Sequence, residues 1–439
     1  MSSIDWDGYF LSEAGKKWQP SAIRGLFPLE KIPGMVSLLA GKPNAATFPF
    51  SAIKVDLKPI IPGDPVETLT VESAALDEGL QYGPTAGLGS LVKWLENLQE
   101  KRHSRPRDGS WKLSVGSGSQ DLINKAFHSL VNDGDSILIE SPVYSGTLGL
   151  LNAHTASLIE LPVDTSGLNP DVLEDTLANW ETKYPGKRFP KILYTIPTGS
   201  NPTGASCPLD RRLRVLALVR EYNLLLLEDD AYHYLSFDAE NITPSYFELE
   251  ARDGGETGRV IRFDSFSKIL SSGMRLGFAT GAKELIDIID LNTANTNLQP
   301  SSTTQAIVVV LLNKWGLDGF LAHTRRVAAF YKDKRDAFEK VAHKHLDGLA
   351  TWVSPDAGMF LYLDLKLTTD GTPGDSSALI SKTAVEKGVL CVPGAGFLPN
   401  EGISSCVRVS FSLATEQDAE LGFQRLRECI LEARGEAGK

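Results

Sequence analysis

Lys268 closes the segment Asp264-Ser265-Phe266-Ser267-Lys268, directly after the apolar run Val260–Phe263. A lysine amine at a strand end can form a Schiff base where its surroundings disfavour the ammonium, although solvation is the commoner fate of a lone lysine. Seven residues on stands Arg275, in Ser-Gly-Met-Arg-Leu-Gly. A fixed guanidinium there suits a phosphate and opposes protonation of a nearby amine. Upstream, Leu225–Leu227 runs into Glu228-Asp229-Asp230-Ala231-Tyr232. A carboxylate just past a buried strand is costly without a cationic partner. It reads either as a turn or helix cap, or as the group that holds a proton on a ring nitrogen. Ser117-Gly118-Ser119-Gln120 opens a helix-like stretch, where free N–H groups and the positive dipole end favour an anion, although a serine there is usually only a cap. Gly199-Ser200-Asn201-Pro202-Thr203-Gly204 is a good turn that would present the Asn201 amide after a strand.

The elements that must position these groups follow from the apolar rhythm. Short β-branched runs recur at Ser136–Ile139, Ser157–Val163, Lys191–Ile196, Leu224–Glu228 and Val260–Phe263. Helix-like patterns lie between several of them, at Ser119–Leu130, Asp171–Trp180 and Leu209–Tyr222. This alternation predicts an α/β fold, a large domain with a mostly parallel central sheet flanked by helices, and ligands bind such sheets beyond the carboxyl ends of the strands. From residue 300 the pattern changes to one or two long helices over Thr303–His345, broken near Trp315-Gly316, and then to a smaller α+β C-terminal domain with a strand at Met359–Leu365. The expected divisions are an N-terminal arm over 1–45, a cofactor-binding domain over 46–300 and a small domain over 301–439.

Composition narrows the function. The 439 residues carry 44 Lys+Arg against 55 Asp+Glu, a net charge of −11, with 42% apolar and 23% charged residues. That is globular composition, and its acidity argues against nucleic acid or an anionic membrane as partner. Cys207, Cys391, Cys406 and Cys429 are scattered, which fits reduced thiols, and nothing suggests a metal. The opening MSSIDWDGYF has neither a basic nor an apolar leader region, and the apolar run Ala306–Leu312 is too short to span a bilayer, so a cytoplasmic location is expected.

The joint order of these motifs resembles one family. Asn201-Pro202-Thr203-Gly204, Asp229-x-x-Tyr232, Ser265-x-Ser267-Lys268, Arg275 and Arg408 follow the pattern of class I/II aminotransferases of pyridoxal phosphate fold type I. The resemblance runs from about Ser21 to the C-terminus and is closest to the branch of kynurenine/2-aminoadipate and fungal aromatic aminotransferases, through Ser21–Arg24, Leu38–Asn44, Leu80–Gly87, Pro142–Leu148, Leu227–Tyr232 and Asp264–Phe278. It implies pyridoxal 5′-phosphate as cofactor, with Lys268 as the Schiff-base lysine and proton shuttle, and Asp229 on the pyridinium nitrogen. It assigns Tyr232 and Asn201 to the ring's phenolic oxygen and Tyr144 to the ring face. Ser119, Gln120, Ser265, Ser267 and Arg275 would hold the phosphate, and Tyr82 would reach the phosphate of a partner subunit in a homodimer with shared sites. Arg408 would clamp the substrate carboxylate, with Arg24, Gly41, Asn201, Tyr144 and Phe360 beside the substrate. The chain departs from the pattern in having Ala231 after the Asp-Asp pair and His233 after Tyr232; His233 reads as structural.

The resemblance implies transamination between an aromatic L-amino acid and 2-oxoglutarate by a ping-pong mechanism, with Arg24 swinging in for a distal carboxylate and out for a ring. Alternatives are a 2-aminoadipate/kynurenine aminotransferase or a pyridoxal-phosphate lyase of the same fold. An effector-sensing regulator would need a DNA-binding segment, and none precedes residue 40. A dinucleotide enzyme would need a GxGxxG turn, and Gly116-Ser117-Gly118-Ser119 lacks its third glycine.

Overall fold

The computed structural model describes residues 4–39, 41–59, 63–252 and 254–436. Its strands are β1 (Ala52–Leu57), β2 (Glu67–Glu72), β3 (Lys112–Gly116), β4 (Ser136–Ser141), β5 (Ser157–Asp164), β6 (Gly167–Leu168) and β7 (Ile192–Thr195). After these come β8 (Leu225–Asp229), β9 (Val260–Ser265), β10 (Gly277–Gly281), β11 (Ala350–Thr351), β12 (Phe360–Leu365), β13 (Val392–Pro393) and β14 (Cys406–Ser410). The fold is mixed α/β, with a large central sheet flanked by helices and a smaller C-terminal sheet. The chain divides into two compact units, Met1–Asn132 with Ala251–Ala322, and Asp133–Glu250 with His323–Lys439.

In the first unit β10 pairs antiparallel with both β3 and β9. The antiparallel β10 is not anticipated by the alternating rhythm, because Gly277–Gly281 is a short Gly/Ala/Thr-rich stretch with a weak strand pattern. The helix Ser119–Leu130 forms over its expected span and buries Leu122, Ile123, Ala126, Phe127 and Leu130, the stripe that its 3.6-residue period puts on one face. The beginning of the chain packs on this helix: Ser12 donates its backbone N–H to the carbonyl of Ser129 at 2.8 Å and its hydroxyl to that of His128 at 2.8 Å, while Trp6, Phe10 and Leu11 are buried. Further on, Val36 and Leu38 are 83% and 97% exposed.

In the second unit β5, β4, β7 and β8 are neighbours in that order, and all three pairings are parallel. The side chains of Ile192–Thr195 and Leu225–Asp229 are buried throughout, as the continuous apolar runs of strands covered on both faces require. Register sets Tyr194 beside Ile139 on one side and Leu227 on the other. The carboxyl ends of three adjacent parallel strands therefore carry Glu140, Thr195 and Asp229. The small sheet has the order β11-β12-β14-β13, all antiparallel, with Tyr362 opposite Arg408.

The long helix Ser302–Leu346 is broken where expected, at Gly316, whose φ of 63° and ψ of −176° are accessible to almost no other residue. By length and composition this helix could span a bilayer, its most apolar 18 residues having a hydropathy of 1.3. Its Val308, Leu312 and Phe320 are nevertheless fully buried in protein.

Candidate active site

The first unit gathers a cradle for an anion. Gly277 lies opposite Gly116 across one pairing and opposite Ser265 across the other, so the end of β3, the start of β10 and the end of β9 share one edge. Ser117-Gly118-Ser119, Arg275 and Ser265-Phe266-Ser267-Lys268 leave the strands at that edge. Gly118, at φ 95° and ψ 163°, caps the helix that Ser119 begins, so the first N–H groups of that helix lie free of a side-chain cap. Arg275 is held in the left-handed conformation, at φ 50° and ψ 51°. Its guanidinium donates to the Ser267 hydroxyl at 3.3 Å, to the Ser272 carbonyl at 3.1 Å and to the Ser117 carbonyl at 3.3 Å. A Cβ at position 118 would stand 2.5 Å from Arg275 Nη2. The Ser265 hydroxyl accepts from the Ser267 N–H at 3.2 Å. Lys268 is half-buried in the turn after β9.

The second unit gathers a carboxylate, two aromatic hydroxyls and a cation. Asp229, 6% exposed at the end of β8, accepts a 2.5 Å hydrogen bond on Oδ2 from the hydroxyl of Tyr194, which also bonds Thr147 Oγ1 at 2.8 Å. Tyr232 is buried, its ring edge-on to Phe360 at 6.3 Å, and burial pushes its hydroxyl well above the usual phenol range. Arg408 donates to Asn201 Oδ1 at 2.9 Å, and its guanidinium lies 4.3 Å from the Phe360 ring and 5.0 Å from the Phe397 ring. The antiparallel register produces this: Arg408 and Phe360 stand diagonally on neighbouring strands, while Phe397 follows β13. Burial lowers the Arg408 pKa, and its Nε is a buried donor with no partner among the described residues. A planar anion is what such a cation lacks. Tyr144 is half-buried at the start of the helix Ser145–Leu151.

Three further expected residues are solvent-facing. Gln120 and Gly41 are exposed, and Tyr82 is 53% exposed. The side chain of Arg24 lies outside the described residues. His233 is fully buried with Nδ1 3.2 Å from the Asp230 carboxylate, the environment of a structural histidine. Sequence reasoning missed Tyr194, Thr147, Phe397 and Glu140. The available signals were a tyrosine within the apolar run of β7, whose buried hydroxyl must find a partner, and a glutamate within the buried run of β4. Glu140 accepts from Thr195 Oγ1 at 2.5 Å and from the Ile196 N–H at 3.4 Å. Burial pushes its carboxyl up to about 7, and the nearby Asp229 charge acts in the same direction.

The sequence model described as Aminotransferase class I and II matches residues 66–426. The chain belongs to the class I and II aminotransferases. It is 44% identical to Aminotransferase tdiD of Emericella nidulans over 94% of this chain and 93% of that protein. It is 38% identical to the mitochondrial kynurenine/alpha-aminoadipate aminotransferase of Mus musculus, over 97% and 99%. Its structure resembles the aromatic aminotransferase Aro9 of Candida albicans with a TM-score of 0.86 at 27% identity, covering 96% and 97% of the two chains. Aminotransferases of this class depend on pyridoxal phosphate. Taken separately, each unit holds residues suited to part of that group: in the first, a cradle of Arg275, Ser267 and helix N–H groups in which even a Cβ at position 118 would intrude, and in the second, a buried carboxylate suited to a cationic ring nitrogen.

Two outcomes follow from this aminotransferase geometry. Gly118→Ala, which drives a methyl into Arg275, should weaken pyridoxal phosphate binding about tenfold, roughly the worth of one charge-assisted hydrogen bond, as read by titrating the apoenzyme and following absorbance. Because the Glu140 carboxyl binds its proton more tightly folded than unfolded, its contribution to stability is complete below about pH 4 and is lost as pH rises through about 7. Denaturant midpoints between about pH 5 and 8 should therefore move in favour of Glu140→Gln relative to the parent as pH rises.

Proposed function

We propose that this aminotransferase moves the amino group of an aromatic L-amino acid (phenylalanine, tyrosine or tryptophan) to 2-oxoglutarate, giving the aromatic 2-oxo acid and L-glutamate by ping-pong turnover. The observation that carries the reading is the Arg408 guanidinium set between Phe360 and Phe397 with Asn201 on one edge. A cation framed by rings receives a carboxylate through two parallel hydrogen bonds, while the rings offer apolar surface to a donor's side chain. The structural likeness to the aromatic aminotransferase of Candida albicans supports the aromatic donor.

When bound, pyridoxal phosphate supplies the carbonyl that receives the amino group and the ring that stabilises the electron pair left on Cα. The protein's part follows from its side chains. Lys268 would hold the cofactor and would move a proton at the substrate Cα as general base and then acid. Asp229 holds a proton on the ring nitrogen, and a carboxylate this deeply buried does so in a low dielectric, where the pairing is strong. Arg275, Ser265, Ser267, Ser119 and Gln120 hold the phosphate. Tyr232 and Asn201 would hydrogen-bond the ring oxygen, and Tyr144 would flank the ring. The exposed Tyr82 and the exposed apolar residues Val36 and Leu38 support a homodimer in which a second copy covers this surface, with Tyr82 reaching the partner's phosphate.

A second reading, a 2-aminoadipate/kynurenine donor, is favoured by the name of the 38% identical mouse relative. An arginine at position 24 that swings toward a distal carboxylate would serve either an acidic donor or 2-oxoglutarate. A cytoplasmic location stands as part of the same proposal.

A donor panel with 2-oxoglutarate should rank phenylalanine, tyrosine and tryptophan above 2-aminoadipate, kynurenine and alanine; an acidic donor in first place overturns the aromatic assignment. Lys268→Ala should abolish the absorbance band of the lysine-bound cofactor and slow turnover by about 10²–10⁴-fold, the usual worth of a positioned acid–base group. A variant with the band and the rate intact would remove Lys268 from the chemistry.

A further inference from the structure

Tyr194 lies on β7 between β4 and β8, fully buried, with Thr147 1% and Asp229 6% exposed around its hydroxyl. The hydrogen bonds of that hydroxyl have one consistent direction. The hydroxyl donates to Asp229 Oδ2 at 2.5 Å, which uses its single phenolic proton. The 2.8 Å contact with Thr147 must then be a bond donated by the threonine to the phenolic oxygen. Burial and the charge of Asp229 push the Tyr194 phenol well above its ordinary range, so it stays protonated, and a donor, at neutral pH. A chain of two hydroxyls in a dry interior thus ends on the carboxylate.

The other buried carboxylate nearby is served separately. Glu140 takes its hydrogen bonds from Thr195 and the Ile196 N–H, one and two residues after Tyr194. Adjacent residues of a strand point to opposite faces, so Tyr194 and Thr195 divide the two carboxylates between them. Losing the Tyr194 donor would remove one stabiliser of the charged form of Asp229, in low dielectric and near a second acidic group, the setting that favours a carboxylate reclaiming a proton. A hydrogen bond donated to the charged form opposes this.

We propose that Tyr194, backed by Thr147, is a positioning residue for the transamination chemistry: it holds the Asp229 carboxylate in the ionised form and orientation that leave the shared proton on the cofactor's ring nitrogen. Neither residue is a catalytic residue; each acts through Asp229. The inference rests on the reading above that Asp229 faces that nitrogen. It makes the strength of the electron sink a property of β7 and of the helix that holds Thr147, as well as of β8.

The test is NMR of the holoenzyme reconstituted with pyridoxal phosphate isotope-labelled at the ring nitrogen, alongside the single-turnover rate with an amino donor. Tyr194→Phe removes only the hydroxyl. It should move the ring-nitrogen resonance toward that of the neutral heterocycle and slow the half-reaction about tenfold, the worth of one hydrogen bond to a charged group, with little change in donor KM. Thr147→Val, which leaves Tyr194 in place, should shift the resonance in the same direction by less, and it decides the matter if Tyr194→Phe does not fold. Asp229→Asn is the reference. A displaced resonance in Asp229→Asn, with wild-type resonances in both hydroxyl variants, overturns the relay and leaves the reading of Asp229 intact. An unchanged resonance in Asp229→Asn overturns that reading, and the relay with it.

Discussion

A carboxylate buried at the carboxyl end of a parallel strand is the constraint around which the second unit is built. Asp229 ends a strand whose side chains are all buried, so no solvent offsets the cost of its charge. The protein meets that cost with a donor from the neighbouring strand, and the donor is in turn held by a hydroxyl from the helix that follows β4. Strand order, parallel register and the burial of Tyr194 are all needed for this. Antiparallel pairing would turn the end of β7 away from the end of β8.

The first unit solves a complementary problem, the holding of positive charge where an anion is to be received. Arg275 sits in a left-handed turn, a conformation that costs about 1–3 kcal/mol for a residue with a side chain and persists where surrounding contacts over-determine it. Those contacts are the Ser267 hydroxyl and two backbone carbonyls. None is a carboxylate, so the guanidinium keeps its full charge for a ligand. Arg408 in the small sheet has the same character: its partners among the described residues are an amide oxygen and two aromatic rings, none of which carries an opposing charge. A cation kept from acidic partners is a poor contributor to stability and a good receiver of phosphate or carboxylate.

Several elements were legible from residue pattern alone. The runs that became β4, β5, β7, β8 and β9 are continuous and apolar, the helix Ser119–Leu130 is periodic over its whole length, and the break at Gly316 is marked by a glycine in a helical pattern. The groups at strand ends were equally visible, since a lysine, an arginine and a carboxylate directly after apolar runs call for an explanation. β10 was not, because its Gly/Ala/Thr composition reports the close packing of its neighbours and carries no strong strand preference of its own.

By itself the sequence determined the family and the α/β alternation, and it marked Lys268, Asp229, Asn201, Arg275 and Arg408 as candidates, because these depend on residue type and order along the chain. Only the tertiary structure decided which hydroxyl reaches Asp229, which rings enclose Arg408 and which carboxyl has its pKa raised by burial. Tyr194 is 35 residues from Asp229 and Asn201 is 207 from Arg408. A hydrogen bond is a matter of a few tenths of an ångström and a direction. Nothing in the local sequence encodes such a distance; it exists once strand order and register have brought the partners together.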